Sequence, residues 1–249
     1  MNYREIITLG KHRLMCGDAT SREDVMRLVD GETVDLVLTD PPYGIKIQHS
    51  DGHIGGNAPM SWTRKDGRKY SATTAPKFIN DDSTDTARKH WDIVGSFDCG
   101  HIIWGVQYFT DFLPVSGGRI FWDKDRPSEL DFGAGELAWT DCIRVIRKYR
   151  QKHNGCIREG NRELNKRVHP TQKPVELHAK ILEDFTKPGD VILDCFGGSG
   201  TTLIACEITG RKCLMMEISP EYCGIIRDRF NSLHNTTPLF SKEVSSCQQ

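Results

Sequence analysis

No two of the nine cysteines, at 16, 99, 142, 156, 195, 206, 213, 223 and 247, form a Cys-x-x-Cys pair, and no paired histidines complete a zinc pattern. A metal site is therefore not expected. Several of these cysteines sit inside periodic apolar segments, which suits buried free thiols in a reducing compartment. Long apolar runs are also missing. Val191-Ile192-Leu193 is typical, far short of the roughly 20 residues that cross a bilayer. The opening Met1-Asn2-Tyr3-Arg4-Glu5 has nothing resembling a signal peptide. A soluble, cytoplasmic protein without a membrane partner is expected. There is no internal repeat, and almost no surplus charge: 33 basic and 34 acidic residues leave −1. A neutral total neither recommends nor excludes nucleic acid, because a basic face can hide in it. What remains is an ordinary globular balance in 249 residues, 27% charged and 37% hydrophobic. That is enough for one domain spanning 1–249 with insertions.

The chain alternates strand and helix patterns. Arg13–Cys16 reads as a strand ending at Gly17-Asp18, and Ser21 with Asp24 as a partial capping box for a helix over 22–29. Val34–Thr39 reads as a buried strand stopped at Asp40-Pro41-Pro42. The pattern dissolves over 44–80, a length of loop that is usually functional or disordered. A helix is expected over 83–97, and strands at 101–104 and 119–122. The last third is the most regular, with a helix over 176–185, a strand over 191–194 and a glycine turn. A helix over 201–209, a strand over 212–217 and a helix over 220–233 follow. Such alternation implies a parallel sheet covered on both faces, with ligands beyond the carboxyl ends of the strands.

Two motifs sit at predicted strand ends. Asp194-Cys195-Phe196-Gly197-Gly198-Ser199-Gly200-Thr201-Thr202 joins a strand to a helix. Its glycines permit a sharp turn and close approach of a ligand. Glu217 ends the next strand, 20 residues past Gly197, where a carboxylate reaches ribose hydroxyls. The spacing departs from Gly-x-Gly-x-x-Gly, which favours an adenosyl ligand without a pyrophosphate over NAD. Asp194 could hold an ammonium group.

The second motif is Asp40-Pro41-Pro42-Tyr43. Two prolines remove amide donors but leave fixed carbonyl acceptors. A carboxylate, a carbonyl and an aromatic ring at one spot suit a planar base bearing –NH₂. Asp40 and the carbonyl of Pro41 would accept the amino hydrogens while Tyr43 stacks on the ring. Such acceptors localise the nitrogen lone pair and stabilise positive charge growing there.

With the tetrad first and Phe196–Gly200 last, the chain resembles the beta class of DNA amino-methyltransferases. The likeness continues through Ile102–Phe109, Trp122-Asp123-Lys124, Glu136–Thr140 and His169-Pro170-Thr171-Gln172-Lys173-Pro174 to Glu217 and Tyr222. The resemblance implies a three-layer α/β, Rossmann-like fold with permuted motif order and S-adenosyl-L-methionine as cofactor. It implies that Asp40, Pro41, Pro42 and Tyr43 are catalytic. Phe196, Gly197, Gly198, Ser199, Gly200 and Thr201 would cradle the donor, with Glu217 on its ribose and Asp18 by its adenine. His169, Lys173 and Pro174 would lie near its methionine end. Asp at the first tetrad position leans toward adenine N6 over cytosine N4, and a non-catalytic DNA-binding relative is the other alternative. Protein-glutamine methylases of this kind carry Asn-Pro-Pro-Tyr after the glycine motif, so residue and order both disagree. Cytosine-5 chemistry would need a Pro-Cys pair, and there is none.

Double-stranded DNA is the expected partner. Between 143 and 173, Arg144, Arg147, Lys148, Arg150, Lys152, Arg158, Arg162, Lys166, Arg167 and Lys173 face only Glu159 and Glu163. The stretch 141–168 is read as a DNA-recognition insertion, with His169 at its end. Arg64 and Lys65, beside Trp62 and Tyr70, mark 44–80 as a loop that closes over a flipped base. A homodimer and a cognate restriction endonuclease are partners that the resemblance allows.

Overall fold

The structure is a computed structural model. It describes residues 1–45, 61–63, 69–71, 83–126, 133–154, 157–158, 160, 168 and 172–235, with backbone only at 61–63, 69–71, 153–154, 157–158 and 235. Every structural statement below concerns those residues.

The elements run β1 (Ile6–Leu9), β2 (His12–Cys16), α1 (Arg22–Val29), β3 (Leu36–Thr39), β4 (Ser61–Thr63), β5 (Lys69–Ser71), α2 (Asp85–Val94) and β6 (Gly100–Trp104). After a 3-10 turn at Val106–Tyr108 come β7 (Arg119–Asp123), β8 (Gly135–Thr140), β9 (Ile146–Arg150), β10 (His153–Asn154) and β11 (Ile157–Arg158). Then follow α3 (Val175–Phe185), β12 (Val191–Asp194), α4 (Thr201–Thr209), β13 (Lys212–Glu217) and α5 (Pro220–Asn235).

Nine strands form one sheet in the order β1-β2-β13-β12-β3-β6-β8-β7-β9. Only β1 and β8 run against the rest. The period-2 alternation of strand side chains sorts the core into two layers. Leu14, Leu36, Leu38, Ile102, Ile192 and Met215 pack with α3, α4 and α5 on one face. Met15, Val37, Ile103, Leu193, Leu214 and Met216 pack with α1 and α2 on the other. The three-layer α/β expectation is met.

From β12 the chain crosses through α4 to β13 on one side, whereas β3 crosses through α2 to β6 on the other. Adjacent β12 and β3 are thus the point where strand order reverses, and a crevice opens beyond their carboxyl ends. Two sequence expectations need adjusting. Ile146–Arg150, inside the stretch read as an insertion, is an edge strand of the main sheet, parallel to β7. Ser21 caps α1 by accepting from the Asp24 amide at 3.2 Å, but Asp24 does not complete a box. Its carboxylate accepts instead from the Asp18 amide and the Tyr3 hydroxyl.

Candidate active site

At the switch point the two motifs open into one cavity of about 440 Å³, within the range of small-ligand sites. Asp18, Asp40, Tyr43, Tyr108, Lys173, Asp194, Phe196 and Glu217 are among its walls.

On the glycine side, β12 delivers Asp194 to the sheet edge. One oxygen accepts from Thr39 Oγ1 at 2.8 Å and the Phe196 amide at 3.1 Å; the other accepts from Thr202 Oγ1 at 2.6 Å. Burial raises its pKa to about 6 despite these three donors. The carboxylate therefore stitches β3, the turn and α4 together, besides bordering the cavity. The turn reverses through left-handed backbone at Gly198 (φ 50°) and Gly200 (φ 78°), and the Gly197 amide bonds the Met216 carbonyl at 2.8 Å. A Cβ at Gly200 would stand 3.0 Å from Ile226, a tight approach that adds to the strain of the left-handed dihedral. Glu217, at the end of β13, accepts from the Gly198 amide at 2.7 Å and the Ser219 amide at 2.9 Å, one on each oxygen. Each oxygen keeps a lone pair. Burial lifts this carboxyl to about 7. Asp18 Oδ1 accepts from the amide and hydroxyl of Thr20, both at 2.8 Å. The Phe196 ring stands edge-on to His90, centroids 5.0 Å apart. A flat apolar wall, a glycine turn and a carboxylate on the next strand are the groups an adenosyl ligand requires, so the residues present fit the donor.

On the tetrad side, Tyr43 donates its hydroxyl to Asp40 and stacks on Tyr108, centroids 5.1 Å apart. Its ring lies directly on Gly105, whose φ is +86°; a Cβ there would come within 2.2 Å of the ring. Burial, with Asp40 beside it, raises the Tyr43 phenol well above its ordinary range. The other oxygen of Asp40 takes the ammonium of Lys173. Lys173 is 5% exposed and pairs with Glu136 at 3.1 Å, and Glu136 in turn binds Lys124. Burial opposes the charge on Lys173, but Asp40 and Glu136 together raise its pKa. Burial likewise opposes the charge on Glu136, and its two lysines bring it down to about 2. The backbone of Lys173 is fixed from the glycine side, its carbonyl accepting from Thr201 Oγ1 at 3.1 Å. Pro174 (φ −64°, ψ 139°) turns the chain into α3.

The structure thus gathers Asp18, Asp40 through Tyr43, Lys173, Asp194, Phe196 through Ser199, Thr201 and Glu217 around one space, with Gly200 and Pro174 in the adjoining backbone. Sequence reasoning gave no role to Glu136, Lys124, Tyr108 or Thr39. Glu136 lies in β8 opposite Trp122 and Lys124 follows the end of β7, and only the pairing of those strands reveals their neighbourhood. Of the basic residues, Arg147 pairs with Asp184 at 3.2 Å, Lys148 with Asp123 at 2.7 Å and Arg150 with Asp125 at 2.8 Å. Arg150 stands level with Asp123 at the cavity end of the sheet. Arg144 precedes β9 at the opposite end, where its carbonyl lies against Gly117. Arg64, Lys65, Arg162, Lys166, Arg167 and His169, and the side chain of Arg158, lie outside the described residues. So does nearly all of the 44–80 loop.

A family model for DNA methylases of the N6/N4 kind matches residues 58–228, more than half of the chain and inclusive of the glycine turn. A DNA adenine methyltransferase of Escherichia coli, YhdJ, is 29% identical over 83% of this chain and 78% of its own. The type II methyltransferase M.HpaI of Haemophilus parainfluenzae is 22% identical over 94% and 79%. The solved PvuII DNA methyltransferase, cytosine-N4-specific, superposes with TM-score 0.58 at 15% identity over 92% and 90%, a likeness of fold. The chain belongs to the family of DNA amino-methyltransferases, enzymes whose methyl donor is S-adenosylmethionine.

Proposed function

We propose that this enzyme methylates the exocyclic N6 of adenine in duplex DNA, on a base turned out of the helix. The observation that carries the reading is the single cavity shared by Asp40–Tyr43 and the glycine turn. It lets an amino group and a methyl donor meet without any group having to cross the sheet. The donor brings an activated sulfonium methyl, so transfer needs mainly alignment. Glu217 holds the ribose hydroxyls, Phe196 walls the adenine, and the turn at 197–200 lets the donor approach the backbone. Asp40 and the Pro41 carbonyl accept the amino hydrogens, and the carboxylate stabilises positive charge as it grows on nitrogen. Tyr43 stacks on the base. Its present stacking on Tyr108 and its bond to Asp40 occupy the positions a base would take, so the ring turns when a base enters.

Adenine is supported by Asp at the first tetrad position and by the adenine specificity in the name of YhdJ. Duplex DNA approaches the carboxyl edge of the sheet, where Arg150 stands, and the segment 44–80, with Arg64 and Lys65, covers the extruded base. Mass spectrometry of nucleosides from DNA incubated with the enzyme and S-adenosylmethionine tests the reading. N6-methyladenine, lost in Asp40→Ala, is the expected result. N4-methylcytosine would keep the chemistry and change the base, and no modified base on DNAs of varied sequence would overturn the reading.

A further inference from the structure

The tetrad does not end at Tyr43. Behind Asp40 lies a row of alternating charge: Asp40, then Lys173, then Glu136, then Lys124. Each comes from a different strand end or loop. Asp40 follows β3, Lys173 precedes α3, Glu136 lies in β8 and Lys124 follows β7. We infer that Glu136 is a positioning residue for methyl transfer, holding Lys173 on Asp40 so that one carboxylate oxygen stays anchored while the other turns to the base. The inference deepens the functional reading above and rests on it.

Three observations support this. First, Lys173 is buried, and an ammonium there needs compensation. Its surroundings are the Tyr43 hydroxyl at 3.4 Å, the Trp104 ring at 5.0 Å from Nζ, His178, and the carboxylates of Asp40 and Glu136. His178 is held neutral, its pKa brought to about 3 by burial and by the charge of Lys173. Asp40 is the reacting group, so Glu136 is the carboxylate left to balance the lysine while Asp40 engages a base. Second, Glu136 is itself braced from behind by Lys124, whose Nζ sits 4.7 Å over the Trp122 ring. Four alternating charges sum to zero, so each buried charge has an opposite one beside it and the row leaves no net charge in the cavity wall. Third, the backbone of Lys173 is tied to Thr201 at the start of α4. The row therefore fixes the tetrad relative to the glycine turn, and so aligns the two substrates.

If Glu136 only filled space, Glu136→Gln would leave the titration of Lys173 untouched. On the inference it removes one of the two charges that raise the Lys173 pKa while burial keeps opposing it. The lysine then titrates lower than in the wild type, and the alkaline limb of kcat moves down with it. The experiment combines methyl-transfer kinetics across pH, donor affinity by calorimetry, and ¹³C NMR titration of lysine side chains, with Lys173→Met giving the assignment.

We expect kcat to fall on the order of 10–100-fold in Glu136→Gln, with donor affinity changed less than about two-fold and both titrations moved down. Lys124→Met combined with Glu136→Gln removes a neutral pair, and is expected to fold and to recover part of the lost kcat. If the single variant is unstable, the kcat and the Lys173 titration of the double variant against wild type decide the matter. A wild-type kcat and an unmoved Lys173 titration in Glu136→Gln would overturn the inference, as would a double variant with wild-type kcat. A wild-type chain that methylates no DNA overturns the functional reading instead. The lysine titration then still decides whether Glu136 governs Lys173.

Discussion

On the proposed reading Glu217 accepts from both sugar hydroxyls, which its ionised form does best, and burial keeps it neutral over part of the ordinary pH range. With its pKa raised to about 7, the acceptor form is populated only as pH climbs through that value. Donor affinity measured by calorimetry is expected to strengthen about ten-fold between pH 6 and pH 8, and to lose that dependence in Glu217→Gln. A flat profile in the wild type would remove Glu217 from the ribose. Tyr43 offers a second test. Gly105 lies under its ring with φ +86°, so Gly105→Ala is strained in its backbone and displaces the ring from its seat, where it would stack on the base. Loss of roughly 1–3 kcal/mol of stability is expected, read as a fall in Tm, together with a loss of kcat larger than any change in donor affinity.

Among the elements, β9 shows how charge in a sequence differs from charge on a surface. Its run Ile-Arg-Lys-Tyr-Arg looks like a phosphate-binding stripe, yet Arg147, Lys148 and Arg150 each face an acid from α3, from β7 or from just after it. These exposed pairs contribute little to stability, and they keep a sheet edge from pairing with other chains. Height along the strand then matters more than sign. Arg150→Ala at the cavity end is expected to weaken DNA binding several-fold and lower the salt slope by about one. Arg144→Ala, at the far end, should change neither. Equal effects in a fluorescence-anisotropy titration across salt would refute the placement of DNA on the carboxyl edge. The same strand explains what the sequence concealed. β12, α4 and β13 were legible because Val191-Ile192-Leu193 and Cys213–Met216 are near-continuous apolar runs punctuated by glycine. β9 buries only Tyr149 among exposed and half-exposed neighbours, and no periodicity announces such an edge. β8 fared little better, since half of it is only partly buried.

Taken whole, the molecule divides its chemistry between two ends of the chain that the sheet brings side by side. The tetrad and the glycine turn were each readable alone, because proline restricts the backbone locally and glycine permits turns other residues resist. Their shared cavity followed from the strand-order rule. The Lys173–Glu136–Lys124 row was not readable, since it depends on β6, β8 and β7 lying next to one another, which no short-range pattern encodes. Because the residues proposed to touch the donor follow β2 and β12, end β13 or precede α3, binding should be felt by the entire fold. At about 100 times its Kd, S-adenosylmethionine is expected to add about 2.7 kcal/mol, or roughly 5–10 °C in Tm. A scan without that shift would mean the donor does not bind the folded chain as described.

The backbone of Gly44 lies against Ser83 and Thr84, within 3 Å of where a side chain would project. The chain therefore departs and returns through a single doorway at the rim of the cavity. Closing a longer excursion between fixed anchors costs only about 0.6 kcal/mol for each doubling of its length. A change of length between those two anchors therefore puts little strain on the sheet. Asp40, four residues before Gly44, keeps its partners whatever the length of that excursion.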